Sequence, residues 1–127
     1  MQLKILAVGD VVAPTGLNYL KTVLPKLKRE KHIDFCVVNG ENAAVLGLLP
    51  QQAEEIFRAG ADVITMGNHT WGKRELVPYI DSTKGILRPA NLPPQQPGIG
   101  WDTFDTPFGQ AAVIDLIGRC AMDYTPD

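Results

Sequence analysis

Three apolar runs in this chain end in the same way, with glycine followed at once by acids or amides. They close as Val8-Gly9-Asp10, Asn39-Gly40-Glu41-Asn42 and Met66-Gly67-Asn68-His69. Each run is short, rich in branched residues and bounded by turn formers, as buried strands are. The stretches between them repeat apolar residues at helical spacing. Strand, helix, strand, helix in that order leaves few architectures open, and the favoured one is a set of right-handed βαβ units forming a mainly parallel sheet. In such sheets ligands bind beyond the carboxyl ends of the strands. Asp10, Glu41, Asn42, Asn68 and His69 are therefore expected along one edge.

The strands are expected over 2–10, 32–39, 61–66, 86–87 and 110–116. A helix is expected over 17–31, after a Pro14-Thr15-Gly16 turn, with a kink or break at Pro25, because an interior proline costs about 3 kcal/mol. A second helix is read over 50–59, with Pro50 opening it and Gly60 closing it, and a short third over 73–80. Residues 89–100, rich in proline and glycine, read as a loop. The last strand has no helix after it. One sheet with helices on one side is expected, its other face apolar and open to association. At 127 residues the chain is expected to form one domain.

Composition narrows the function classes. The net charge is −2, with 20% charged and 45% hydrophobic residues, an ordinary globular balance. It lacks the basic footprint of a duplex nucleic-acid binder. No apolar run approaches the roughly 20 residues of a membrane span, and residues 1–9 are too short for a signal peptide. Cys36 and Cys120 lie in apolar runs without metal-knuckle or redox spacing, so both read as small core residues in a reducing cytoplasm.

Carboxylate and amide oxygens are hard ligands suited to magnesium, manganese or ferrous iron, and imidazole suits iron and zinc. A carboxylate that bridges two ions would serve a phosphoryl displacement, and a histidine beside a ligand asparagine is placed to act as general acid. Any one of these strand ends alone reads as a turn or helix cap. Asn68-His69-Thr70 alone matches a glycosylation acceptor. Three such ends in order, one per βα unit, point to a shared metal-assisted phosphoester site.

At these residues the chain resembles the calcineurin-like metallophosphoesterases, and within them the YmdB-like branch of bacterial phosphodiesterases. The matching segments are GDVV at 9–12, NGENAA at 39–44, GADVITMGNHTW at 60–71 and RPAN at 88–91. The resemblance implies a four-layer α/β/β/α sandwich of which this α/β chain would be the N-terminal half. It implies two divalent metal ions, iron or manganese before magnesium or zinc, and hydrolysis of phosphodiesters such as 2′,3′-cyclic nucleotides. Asp10 would bind one metal, Glu41 would bind or bridge both with Asn42 beside it, Asn68 would bind the second, and His69 would protonate the leaving oxygen. Arg88 and Asn91 match the branch as phosphate contacts or as loop supports.

The chain departs from the branch at Ala13, where glycine is common, and at Val45, where a polar residue or glycine is usual. The family also completes its site with three later histidines, whereas this chain has only His32 and His69, and His32 reads as a surface residue. Two octahedral ions need on the order of ten filled positions, more than Asp10, Glu41, Asn42 and Asn68 supply. The expectation is therefore the first half of a longer enzyme, with a homo-oligomer or the remaining half as partner. A nucleotide-binding or regulatory module without catalysis is the alternative.

Overall fold

The computed structural model describes residues 2–120 and 122. Four strands form one parallel sheet in chain order: β1 (Ile5–Val8), β2 (Phe35–Asn39), β3 (Val63–Thr65) and β4 (Ile86–Leu87). The crossovers are α1 (Ala13–Lys31), α2 (Pro50–Ala59) and α3 (Leu76–Ser82). The register pairs Val8 with Val38, Asn39 with Thr65, and Thr65 with Leu87. The first three strands therefore finish level, and Asp10, Glu41 and Gly67 each follow two residues past a strand end.

Alternation sorts the strand side chains onto two faces. Cys36, Val38, Ile64 and Ile86 pack with Leu17, Leu20, Leu24, Ile56, Leu76 and Ile80 from the helices. On the opposite face Phe35, Val63 and Leu87 pack with Phe104, Ala111 and Val113. These last residues belong to an antiparallel hairpin of β5 (Trp101–Thr106) and β6 (Gly109–Ile114). The expectation of a single sheet is thus corrected: a second sheet covers part of the face expected to be open, with the Phe35 and Phe104 rings 5.8 Å apart. Ile5, Trp101, Ile114 and Leu116 remain exposed, and β1 forms one edge of the sheet.

Helix α1 also departs from expectation. It starts at Ala13, includes the stretch read as a turn, and continues through Pro25. Pro14 lies in the first turn, where its missing N–H costs nothing. At Pro25 tertiary anchoring outweighs propensity: Leu20 and Leu24 are buried, and Lys28 Nζ donates to Gly60 O at 2.6 Å and to Asp62 Oδ2 at 3.2 Å. Helix α2 has the expected bounds, and α3 lies a few residues later than expected.

Cys36 is buried, and burial pushes its thiol up to about 11, so it stays an inert thiol. Cys120 is exposed in a turn, which corrects its reading as a core residue: the apolar run around it leaves the hairpin instead of entering the core. His32 is exposed and caps α1 in the left-handed conformation. Among the described residues no helix is long and apolar enough to cross a membrane.

Candidate metal centre

Backbone hydrogen bonds knit the strand-end loops before any side chain acts. Val11 N–H donates to Asn39 O at 3.1 Å, Gly40 N–H to Thr65 O at 3.0 Å, and Ala13 N–H to Asn42 O at 2.9 Å. Asn42 O also accepts from Val45 N–H at 2.9 Å. The loop after β2 lies directly on the loop after β3. A Cβ on Gly47 would fall 2.8 Å from Lys73 N, and one on Gly72 would fall 2.7 Å from Leu46 C, so only glycine permits this backbone approach.

Four of the five expected residues meet. Asn42 Nδ2 donates to Asp10 Oδ1 at 2.8 Å, and Asn42 Oδ1 lies 2.6 Å from His69 Nδ1. The His69 backbone N–H donates to Glu41 Oε2 at 3.0 Å, with the ring Nδ1 3.8 Å from the same oxygen. The Glu41 carboxylate lies over Gly67, where any Cβ would overlap it. Asn68 sits in the same turn, exposed, and no hydrogen bond links it to the other four among the described residues. Thr70, buried, spends its hydroxyl on Gly67 O at 2.6 Å and closes the turn. The third residue of the acceptor-like triplet therefore has a structural task.

The donor set is consistent with hard divalent ions but incomplete. Among the described residues no three His, Cys, Asp or Glu side chains lie close enough to hold a metal, so any such site depends on the amide oxygens as well. Asn39 adds a second observation. Its Nδ2 faces two acceptors, Met66 O at 3.2 Å and Glu41 Oε1 at 3.5 Å, which fixes the amide orientation. Its Oδ1 is then buried without a donor. An acceptor left unsatisfied beside a carboxylate is an environment that favours a cation or an ordered water.

Two residues of this region are not marked in the sequence. Asn39 precedes the glycine and reads as part of its strand. Asp115 follows β6 and reaches back to the site: it is buried, and its Oδ2 accepts from Met66 N–H at 3.0 Å. Burial pushes its carboxyl up to about 7, and the charge of Glu41 adds to the rise. The available signal is an acid closing an apolar run, as at Asp10, but without the glycine. Arg88 and Asn91 resolve as loop supports. Arg88, 5% exposed, donates to the carbonyls of Pro97, Pro89 and Gln96. Asn91 exchanges two bonds with the backbone of Ile117 at 2.9 and 3.0 Å.

Known proteins share this fold. The chain is 42% identical over 118 residues to the 2′,3′-cyclic-nucleotide 2′-phosphodiesterase of Bacillus subtilis (strain 168), covering 92% of this chain and 45% of that protein. A crystal structure of a hypothetical protein from Thermus thermophilus superposes with a TM-score of 0.86 at 30% identity, over 97% of this chain and 48% of that one. A Mycoplasma pneumoniae structure described as a novel phosphatase gives 0.85 at 29% identity, over 97% and 46%. The chain spans less than half the length of each. Residues 6–127 match the family described as YmdB-like protein, and the chain belongs to that family.

Proposed function

We propose that this chain carries the first part of a metal-dependent phosphodiesterase site acting on small phosphodiesters such as 2′,3′-cyclic nucleotides. The observation that carries this reading is the hydrogen-bonded line from Asp10 through Asn42 to His69, with Glu41 against the His69 backbone, at the carboxyl edge of a parallel sheet. The Bacillus relative's name supports the substrate class.

In this reading Asp10, Glu41 and Asn68 would hold divalent metal, iron or manganese fitting the oxygen donors best. Asn42 keeps one Oδ1 lone pair for a cation and spends the other on His69. The bound ions would supply a polarised phosphate and an activated water. The chain's own residues do the rest. Because Asn42 Nδ2 is committed to Asp10, its Oδ1 faces His69, so His69 Nδ1 carries the proton of that bond. Nε2 is left free, and in the imidazolium form it donates to the leaving oxygen.

The test is hydrolysis of a 2′,3′-cyclic nucleotide by the manganese-loaded protein and its His69→Ala variant. Loss of a general acid lowers turnover by about 10²–10⁴-fold while bound metal stays constant. Unchanged turnover removes the acid role from His69. Absence of bound metal in the parent protein removes the metal reading.

A further inference from the structure

Asp115 stands outside the set of Asp10, Glu41, Asn42, Asn68 and His69, and it comes from the hairpin instead of the parallel sheet. It is the one acid buried among the described residues, at 8% exposed. Its backbone is held on both sides: its N–H donates to Gly100 O at 3.0 Å, and its carbonyl accepts from Ala90 N–H at 2.8 Å. The side chain therefore projects from a fixed base.

What it grips is the residue from which the site leaves the sheet. Met66 N–H is shared between Leu87 O at 2.9 Å, in the neighbouring strand, and Asp115 Oδ2 at 3.0 Å. The Met66 carbonyl accepts from Asn39 Nδ2 at 3.2 Å, and the same amide reaches Glu41 Oε1 at 3.5 Å. Gly67 comes next and lies beneath the Glu41 carboxylate. Asn68 and His69 follow, and the His69 N–H returns to Glu41 Oε2 at 3.0 Å. Met66 is thus tied to β4, to the hairpin and, through Asn39, to Glu41.

We propose that Asp115 is a positioning residue of this site: by holding the Met66 N–H from the hairpin, it fixes the direction in which Gly67, Asn68 and His69 leave β3 and the seat on which the Glu41 carboxylate rests. The proposal builds on the functional reading above only in treating Asn68, His69 and Glu41 as working groups. Groups hydrogen-bonded to metal ligands commonly change metal affinity 10–100-fold when removed, and Asp115 acts one link further back, through Met66 and Asn39.

The test uses the isotope-labelled full chain, with two readouts: the metal-free amide resonances of Asn68 and His69, and the affinity for Mn²⁺. Asp115→Ala removes the acceptor, and Asp115→Asn keeps an oxygen in its place. The alanine variant should move both resonances and weaken Mn²⁺ binding about tenfold or more, with asparagine restoring both. Phe104→Leu, which loosens the hairpin contact without touching Asp115, should leave both unchanged. If alanine prevents folding, Asp115→Glu, which displaces the acceptor by one methylene, takes its place under the same criteria. Unmoved Asn68 and His69 resonances in the alanine or glutamate variant overturn the proposal. So does an equal effect from Phe104→Leu, which would assign the change to hairpin docking. Failure of the parent chain to bind Mn²⁺ overturns the metal reading instead, and the metal-free resonances still decide the role of Asp115.

Discussion

The Nδ1 of His69 lies 2.6 Å from the Oδ1 of Asn42, whose amide nitrogen is held by Asp10 at 2.8 Å. The Asp10 carboxylate thus sets the tautomer of an imidazole it does not touch. In the neutral ring the proton is expected on Nδ1 and the lone pair on Nε2. Asn42→Ala should release this preference and let the ring redistribute between its two tautomers, visible in long-range nitrogen–proton correlation spectra of His69. A spectrum unchanged by the substitution would mean that the Asn42 bond does not govern the ring.

Asp115 gives stability a pH dependence opposite to that of a salt-bridged acid. Burial raises its folded-state pKa to about 7, above the roughly 3.9 of an unfolded aspartate. Between those values the folded state holds a proton that the unfolded state has lost. Raising the pH therefore costs stability, at up to about 1.4 kcal/mol per unit, and the loss levels off above about 7. Asp115→Asn keeps an acceptor for Met66 without the charge and should remove this slope. Urea unfolding of both proteins at pH 5 and pH 8 checks it. The parent should lose stability relative to the variant on going to pH 8, and parallel behaviour would contradict the assignment.

Three strands of the parallel sheet and four members of the site cluster were legible because one physical signal marked them: an apolar run stopped by glycine and followed by a polar group. The hairpin was half legible: β6 falls on the strand expected over 110–116, but β5 was not expected. In β5, Trp101 and Phe104 fall on opposite faces with Asp102 and Thr103 between them, so no apolar period emerges until β6 is laid alongside. Asp115 was hidden for the same reason, since its 49-residue separation from Met66 is closed only by docking of the hairpin. Pro25 misled in the other direction, because a local propensity was overruled by burial of the helix face around it. Asn39 reads as the last residue of a strand, and only the two acceptors around its amide nitrogen reveal its place beside Glu41.

The two positions read as departures from the expected pattern coincide with backbone strain. Ala13 has φ +58° and Val45 has φ +71°, a region unfavourable for residues with a Cβ and most so for a β-branched one. Both donate their backbone N–H to the carbonyl of Asn42, at 2.9 Å each. Val45→Gly should stabilise the protein by about 1 kcal/mol and Ala13→Gly by less, the relief being partly offset by the greater freedom of glycine in the unfolded chain. Chemical denaturation midpoints measure both. A lower midpoint for Val45→Gly would show that the valine side chain contributes more than its backbone costs.

Arg88 separates loop support from phosphate contact. Its guanidinium is buried and spreads its donors over three carbonyls: Pro97 at 2.9 Å, Pro89 at 3.0 Å and Gln96 at 3.4 Å. Gln96 in turn accepts from Trp71 Nε1 at 2.9 Å, so the proline-rich loop is fastened to the turn that bears His69. Lysine offers a point charge that cannot serve three acceptors in a fixed fork. Arg88→Lys should cost about 1–2 kcal/mol and Arg88→Ala about 3 kcal/mol or more, since hydrogen bonds to charged groups contribute roughly 1.5–3 kcal/mol each and do not add fully. Limited proteolysis should then cut within 89–100 in both variants. If stability and proteolysis are unchanged while the KM for a cyclic nucleotide rises, the guanidinium serves the phosphate and not the loop.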